Sequence, residues 1–260
     1  TDECGVSHYK RATDRIIGGR DAKKGEFPWM ISVQVKHPHS PGFVVTCGAA
    51  IINTHWVLTA AHCLENVDKN DLQIVAGAHD IKDWTEGMSK HTVNKIISHH
   101  DYNKHDFGVN DIALIKVNQE FRFNASKWLQ NSVCLPAEDY NARGRSATAT
   151  GWGAAAHYRP PARILKAIDM PVLNQDECRL KHIDYVFLKD TQICCGGQLD
   201  RDTCFGDSGG PVIEMVDNRA VLVGITVGSP QKEDCGVESW PGIYTDVTKY
   251  IKWINDNMKG

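Results

Sequence analysis

A serine set among the smallest residues, Gly206-Asp207-Ser208-Gly209-Gly210-Pro211, is the segment of this chain best suited to do chemistry. A nucleophilic hydroxyl needs room for a carbonyl to approach, and glycines leave backbone N–H groups free to point at a developing oxyanion. It also needs a base. Among 12 histidines, His62 is distinguished by its setting in Thr59-Ala60-Ala61-His62-Cys63, straight after the apolar run Trp56-Val57-Leu58. There a strand end and a half-cystine would fix the ring. An orienting acid is available in Asp111, which opens the apolar run Ile112-Ala113-Leu114-Ile115.

Each piece has a bland reading: a tight turn, a core histidine, a strand-start aspartate. Gly206-Asp207-Ser208-Gly209-Gly210 also fits the G-x-S-x-G pattern of the α/β-hydrolases. That class places its acid and histidine after the serine, on a strand-turn-helix, whereas here the best partners precede Ser208 and Pro211-Val212-Ile213 continues as strand. The cluster His99, His100, Asp101, His105 and Asp106 matches no zinc spacing and reads as a polar loop.

The elements that must position these groups are short apolar or alternating runs at 30–35, 43–46, 56–59, 72–75, 112–117 and 220–227, separated by turn residues. Such spacing predicts an antiparallel barrel or sandwich. One convincing helix is terminal, with Val247, Ile251, Ile254 and Met258 on one face and Lys249, Lys252 and Asp256 on the other, so it should pack against a barrel. The polar loop 37–42 reads as a surface excursion. No repeat or linker divides the 260 residues, and an all-β chain of that length can be one folding unit.

Composition is ordinary: 42% hydrophobic, 23% charged and a formal net charge of −3, without a block of like charge, which argues against nucleic acid as partner. No apolar run approaches the roughly 20 residues of a membrane helix. The opening Thr1-Asp2-Glu3-Cys4 carries no leader, and any signal peptide is expected to have been removed. Nine cysteines without paired C-x-x-C spacing predict disulfides, an oxidising compartment and hence secretion, with at least one thiol left over.

Taken in order, Arg15-Ile16-Ile17-Gly18-Gly19, Thr59-Ala60-Ala61-His62-Cys63, Asp111-Ile112-Ala113-Leu114, Thr150-Gly151-Trp152-Gly153, the Ser208 hexapeptide and Pro241-Gly242-Ile243-Tyr244-Thr245 resemble the chymotrypsin-like serine proteases over nearly the whole chain. The resemblance implies an all-β fold of two packed six-stranded antiparallel barrels with a C-terminal α-helix, and the site between the barrels. It implies a propeptide at 1–15 and a protease domain at 16–260. It also implies a triad in which Ser208 attacks, His62 is the base and Asp111 orients it, with Gly206 and Ser208 N–H groups as the oxyanion hole. Neither a metal nor an organic cofactor is expected; 78–89, where relatives carry a calcium loop, has Ala78 and Ser89 where acids are expected.

By the same resemblance, cleavage at Arg15-Ile16 frees an amine to pair with Asp207. Asp202 sits six residues before Ser208, where the family's acid pairs with a substrate Lys or Arg. Gly228 and Gly242 match small pocket walls, Thr203 and Phe205 flank the pocket, and Thr226 and Val227 replace the usual Ser and Trp. The pairs implied are Cys47–Cys63, Cys178–Cys194, Cys204–Cys235 and Cys4–Cys134, the last tethering the propeptide, which leaves Cys195 over. Ala147 and Glu214 stand where many relatives place another bridge. Asn124-Ala125-Ser126 is a glycosylation sequon. The partners expected are protein or peptide substrates and protein protease inhibitors, with no membrane and a monomeric chain. The competing class is a catalytically silent homologue acting as a binding module; such proteins typically lose a triad residue, and all three are present here.

Overall fold

A computed structural model describes residues 3–9, 19–37, 41–85, 87–123, 128–153, 161–182, 189–197, 207–228 and 241–259. After a two-residue strand β1 (Arg20–Asp21), six strands close into a barrel: β2 (Met30–Lys36), β3 (Phe43–Ile51), β4 (Trp56–Thr59), β5 (Leu72–Ala76), β6 (Ser89–Ser98) and β7 (Ala113–Val117), in the order β2-β3-β4-β7-β6-β5. β2, β4, β5 and β7 are dominated by buried Val, Ile, Leu and Ala. Each fully buried Val, Ile or Leu side chain contributes roughly 1.5–3 kcal/mol, more than the side-chain entropy lost in ordering it.

One register positions the site. β4 and β7 pair antiparallel with Thr59 opposite Ala113. The end of β4 therefore lies beside the start of β7, and the segments just beyond those ends, carrying His62 and Asp111, leave the barrel at the same rim.

The remaining strands are β8 (Ser146–Gly151), β9 (Lys166–Pro171), β10 (Gln192–Gly196), β11 (Pro211–Val216), β12 (Arg219–Gly228) and β13 (Pro241–Asp246). With β1 they form a seven-stranded sheet ordered β1-β9-β8-β11-β12-β13-β10. This curled sheet stands where the second barrel was expected: an isolated antiparallel bridge between Val172 and Cys195 brings the end of β9 to β10, and β1 is added at the edge through Arg20 opposite Ala167. Arg20 is held there by a two-pronged ion pair to buried Glu26.

The C-terminal helix begins as a 3₁₀ turn, Val247–Tyr250, whose Thr248 N–H and hydroxyl both donate to Asp246 Oδ1, and continues as α2 (Ile251–Met258). Val247, Ile251 and Ile254 are buried in the main core, while Lys249, Lys252 and Asp256 face solvent. An additional helix, α1 (Gln175–His182), was not expected, because its Leu180 is 69% exposed and no apolar stripe announces it. A capping pattern does: Asn174 Oδ1 accepts from Glu177 N–H at 2.8 Å, with Asp176 and Glu177 in the first turn and basic residues in the last.

Three bridges join Cys4 to Cys134, Cys47 to Cys63 and Cys178 to Cys194; Cys204 and Cys235 lie outside the described residues. Cys195 is buried in β10, outside these three bridges. Where relatives carry a further bridge, buried Glu214 instead accepts from Tyr140 Oη and from Arg145 Nη1, the latter at 3.1 Å.

Candidate active site

His62 sits on a one-turn 3₁₀ helix, Ala61–Leu64, whose next residue Cys63 is bridged to Cys47 of β3. Buried Asp111 grips this turn twice: Oδ1 accepts the His62 backbone N–H at 2.8 Å and Oδ2 lies 2.6 Å from Nδ1. A carboxylate only accepts, so the ring must carry its proton on Nδ1 and present the Nε2 lone pair outward. Burial alone would lower the His62 pKa. The hydrogen bond and charge of Asp111, with a further contribution from Glu65, overcome that and hold it above the ordinary imidazole value.

Asp111 is itself positioned from the other half of the molecule. Buried Thr245 of β13 donates its hydroxyl to the Asp111 carbonyl at 2.9 Å. Tyr250 Oη donates at 2.8 Å to Oδ1 of Asn110, whose backbone has the unusual φ of 53° and whose Nδ2 reaches the Asp101 carbonyl. The histidine-rich segment read as a polar loop packs here. His99 and His100 stack at 4.5 Å, the Asp101 N–H donates to His99 Nδ1, and His99 also lies against Tyr250 and Trp253.

Ser208 is held by backbone. Its carbonyl accepts from Gly48 N–H of β3 at 2.8 Å, Gly209 N–H donates to the Thr226 carbonyl, and Gly210 N–H closes a tight turn on the Asp207 carbonyl. Gly209 has a φ of +75°, and a Cβ there would stand 2.5 Å from the Gly48 carbonyl, so no other residue fits. The Ser208 hydroxyl donates to the Val227 carbonyl at 3.4 Å rather than to His62.

Asp207 turns away from Ser208 towards Gly151 and Gly153, accepting from Gly153 N–H at 2.8 Å. A Cβ at either glycine would collide with its carboxylate. Thr226 is buried, and its Oγ1 has no hydrogen-bond partner among the described residues. Gly228 has a φ of +137°, and no atom of the described residues lies within 4 Å of where its side chain would project; Gly242 pairs with Cys195 across β13 and β10. The backbone of Gly108 packs so closely on Val227 that a Cβ would stand 2.9 Å from Cγ1. Arg15, Ile16, Asn124, Asp202, Thr203, Phe205 and Gly206 lie outside the described residues.

Sequence reading did not find Glu65, Tyr102, Asn110 and Tyr250. Only Thr245 had a signal, as the last residue of a quoted motif. Tyr102 Oη donates to Glu65 Oε1 across 37 positions, a contact without any local pattern.

The family model described as Trypsin matches residues 16–254. The chain is 33% identical to the CLIP domain-containing serine protease B4 of Anopheles gambiae, over 98% of this chain and 72% of that protein. It is 32% identical to the venom peptide isomerase heavy chain of Agelenopsis aperta, over 94% of this chain and all of that one. With coagulation factor XI of Bos taurus the identity is 33%, over 95% of this chain but 38% of the larger protein. A barrel rim that brings His62 and Asp111 together, a glycine-walled turn that presents Ser208 beside it, and a match across almost the whole length place this chain in the chymotrypsin/trypsin-like serine protease family.

Proposed function

We propose that this chain is a secreted serine endopeptidase that cuts after Lys or Arg and is made as a zymogen. The observation that carries the reading is the double grip of Asp111 on His62 at the rim where the Ser208 turn is bonded to Gly48. In the family's mechanism Ser208 Oγ attacks the scissile carbonyl, His62 Nε2 takes its proton and returns it to the leaving amine, and Asp111 stabilises the imidazolium. The N–H groups of Gly206 and Ser208 meet the oxyanion; losing one such donor costs about 3–4 kcal/mol of barrier. A binding module would have no use for the tautomer that Asp111 imposes.

The preference for Lys or Arg rests on Asp202. A carboxylate at the base of a narrow pocket is costly to bury alone, and a substrate ammonium or guanidinium offsets that cost through charge-assisted hydrogen bonds. Discrimination that leaves a buried charge unmatched reaches roughly 10⁴ or more. By the family resemblance, Gly228 and Gly242 would be the small walls of that pocket.

Activation is proposed at Arg15-Ile16, separating a propeptide (1–15) from the protease domain (16–260). The new amine would pair with Asp207, whose carboxylate already lies against Gly151 and Gly153. An α-amine has a pKa near ~8. Pairing raises it, so the pair's support is complete below the unpaired value and fades as pH rises through the raised one. The Cys4–Cys134 bridge would keep the propeptide attached after the cut, helped by hydrogen bonds from Gly5 N–H to the Ser132 carbonyl and from Ala220 N–H to the Gly5 carbonyl. Three disulfides support an oxidising, extracellular destination.

Small amide substrates ending in Arg, Lys, Phe or Leu test this reading on the chain before and after cleavage at Arg15, beside an Arg15→Gln variant. Turnover should appear only after the cut and favour Arg and Lys. Full activity of uncut Arg15→Gln would remove the zymogen, a leading preference for Phe or Leu the pocket assignment, and absence of any turnover in the cut chain the enzyme itself.

A further inference from the structure

The turn that carries His62 also carries a second carboxylate. Glu65 follows it three residues later, as the residue that ends the 3₁₀ turn Ala61–Leu64. A glutamate on a surface turn would ordinarily sample many rotamers and be screened by water. This one is half-buried and clasped by the hydroxyl of Tyr102. Burial and the neighbouring Glu65 carboxylate push the Tyr102 phenol well above its usual range, so it remains a donor wherever the enzyme would work.

Tyr102 belongs to the segment that delivers Asp111. The Tyr102 N–H donates to the His99 carbonyl and Asn110 Nδ2 donates to the Asp101 carbonyl, so the connection between β6 and β7 holds Tyr102 and Asp111 in one body. The base's turn is thus fastened to the acid's loop at two places, by Asp111 on His62 and by Tyr102 on Glu65. The charged groups bearing on the imidazole are Asp111, from that loop, and Glu65, from its own turn.

We propose that Glu65, clasped by Tyr102, is a positioning residue for His62: a second, more distant carboxylate that stabilises the imidazolium as it forms. The proposal rests on the reading of His62 as general base. The direct hydrogen bond stays with Asp111, and Glu65 acts through space. Its charge adds to that of Asp111 in holding the His62 pKa up against burial. Removing it lowers that pKa, weakens the base, and moves the acid limb of activity to lower pH.

The test follows the His62 ring by NMR titration in the cut Ser208→Ala protein, alone and combined with Glu65→Gln or Tyr102→Phe. Glu65→Gln should lower the His62 pKa by roughly 0.3–1 unit, and the difference should shrink at high salt. Tyr102→Phe keeps the charge but frees it, and should give a smaller shift in the same direction. In Ser208-containing enzyme the acid limb of kcat/KM should move by the same amount, with a plateau loss of a few-fold. A His62 titration unmoved within about 0.1 unit in both variants overturns the proposal and leaves the base assignment standing. Undiminished turnover by His62→Ala removes the base assignment, and the catalytic part of the proposal with it.

Discussion

In the closed barrel the site is held by side chains. Asp111 grips His62 through both carboxylate oxygens, and Tyr102 clasps Glu65. On the side of the curled sheet it is held by backbone: the carbonyls and N–H groups of Ser208, Gly209, Gly210 and Thr226 close on one another and on Gly48 of the barrel, around a turn with no space for a side chain at Gly209. A side-chain grip can be cut one bond at a time and its loss graded. A backbone grip has no partial version, since any residue larger than glycine must push whole segments apart. The half carrying the base should therefore yield graded variants, and the half carrying the nucleophile mostly all-or-none ones.

The sharpest way to break this contrast is Gly209→Ala. The added methyl meets Thr59 Oγ1 and the Gly48 carbonyl in a backbone conformation that L-residues rarely adopt. Stability should fall by about 3 kcal/mol or more in thermal or denaturant unfolding, and turnover should vanish. Near-normal activity would show that the turn is not held as described. Thr245→Val is the graded counterpart in the link between halves. It deletes the hydroxyl bonded to the Asp111 carbonyl while keeping shape, so stability should drop by about 1–3 kcal/mol and kcat by a few-fold to tenfold, with KM little changed. A change in KM alone would remove the positioning role.

The smallest effect is expected at the polar clamp on β11. Glu214→Gln weakens the hold on Tyr140 and Arg145, far enough from Ser208 that activity should survive and unfolding should shift by about 1 kcal/mol. Burial and the Glu214 carboxylate raise the Tyr140 pKa to about 12. Because it is the protonated phenol that the fold favours, this contribution is full below pH ~10 and lost as pH rises through the raised value, so the variant and the parent should converge in alkali.

The strands legible in the sequence were those whose apolar residues run together or alternate cleanly, such as β2, β4, β5 and β7. β6 escaped because a register shift between Val93 and Lys95 breaks its alternation and half of its side chains face solvent. β8 and β9 mix Thr, Ser, Lys and Asp among small buried residues, and β10 has five residues with two adjacent cysteines, too few to show a period. For the site, residue types and order were enough to propose Ser208, His62 and Asp111, but not what supports them. Glu65, Tyr102, Asn110 and Tyr250 acquire meaning only when the Thr59–Ala113 register brings two rims together and the C-terminal helix docks behind them.

The central claim is that Ser208 is a nucleophile activated by His62, and covalent labelling tests it most directly. A fluorophosphonate loses fluoride to an activated serine hydroxyl and leaves a stable phosphonyl ester that peptide mapping can locate. The chain cut after Arg15 should take up one equivalent, all of it on Ser208. The uncut chain should react far more slowly, Ser208→Ala should take up none, and His62→Ala should react slower by about 10³-fold or more. No uptake by a cut and folded chain, or labelling at any other residue, would contradict the account.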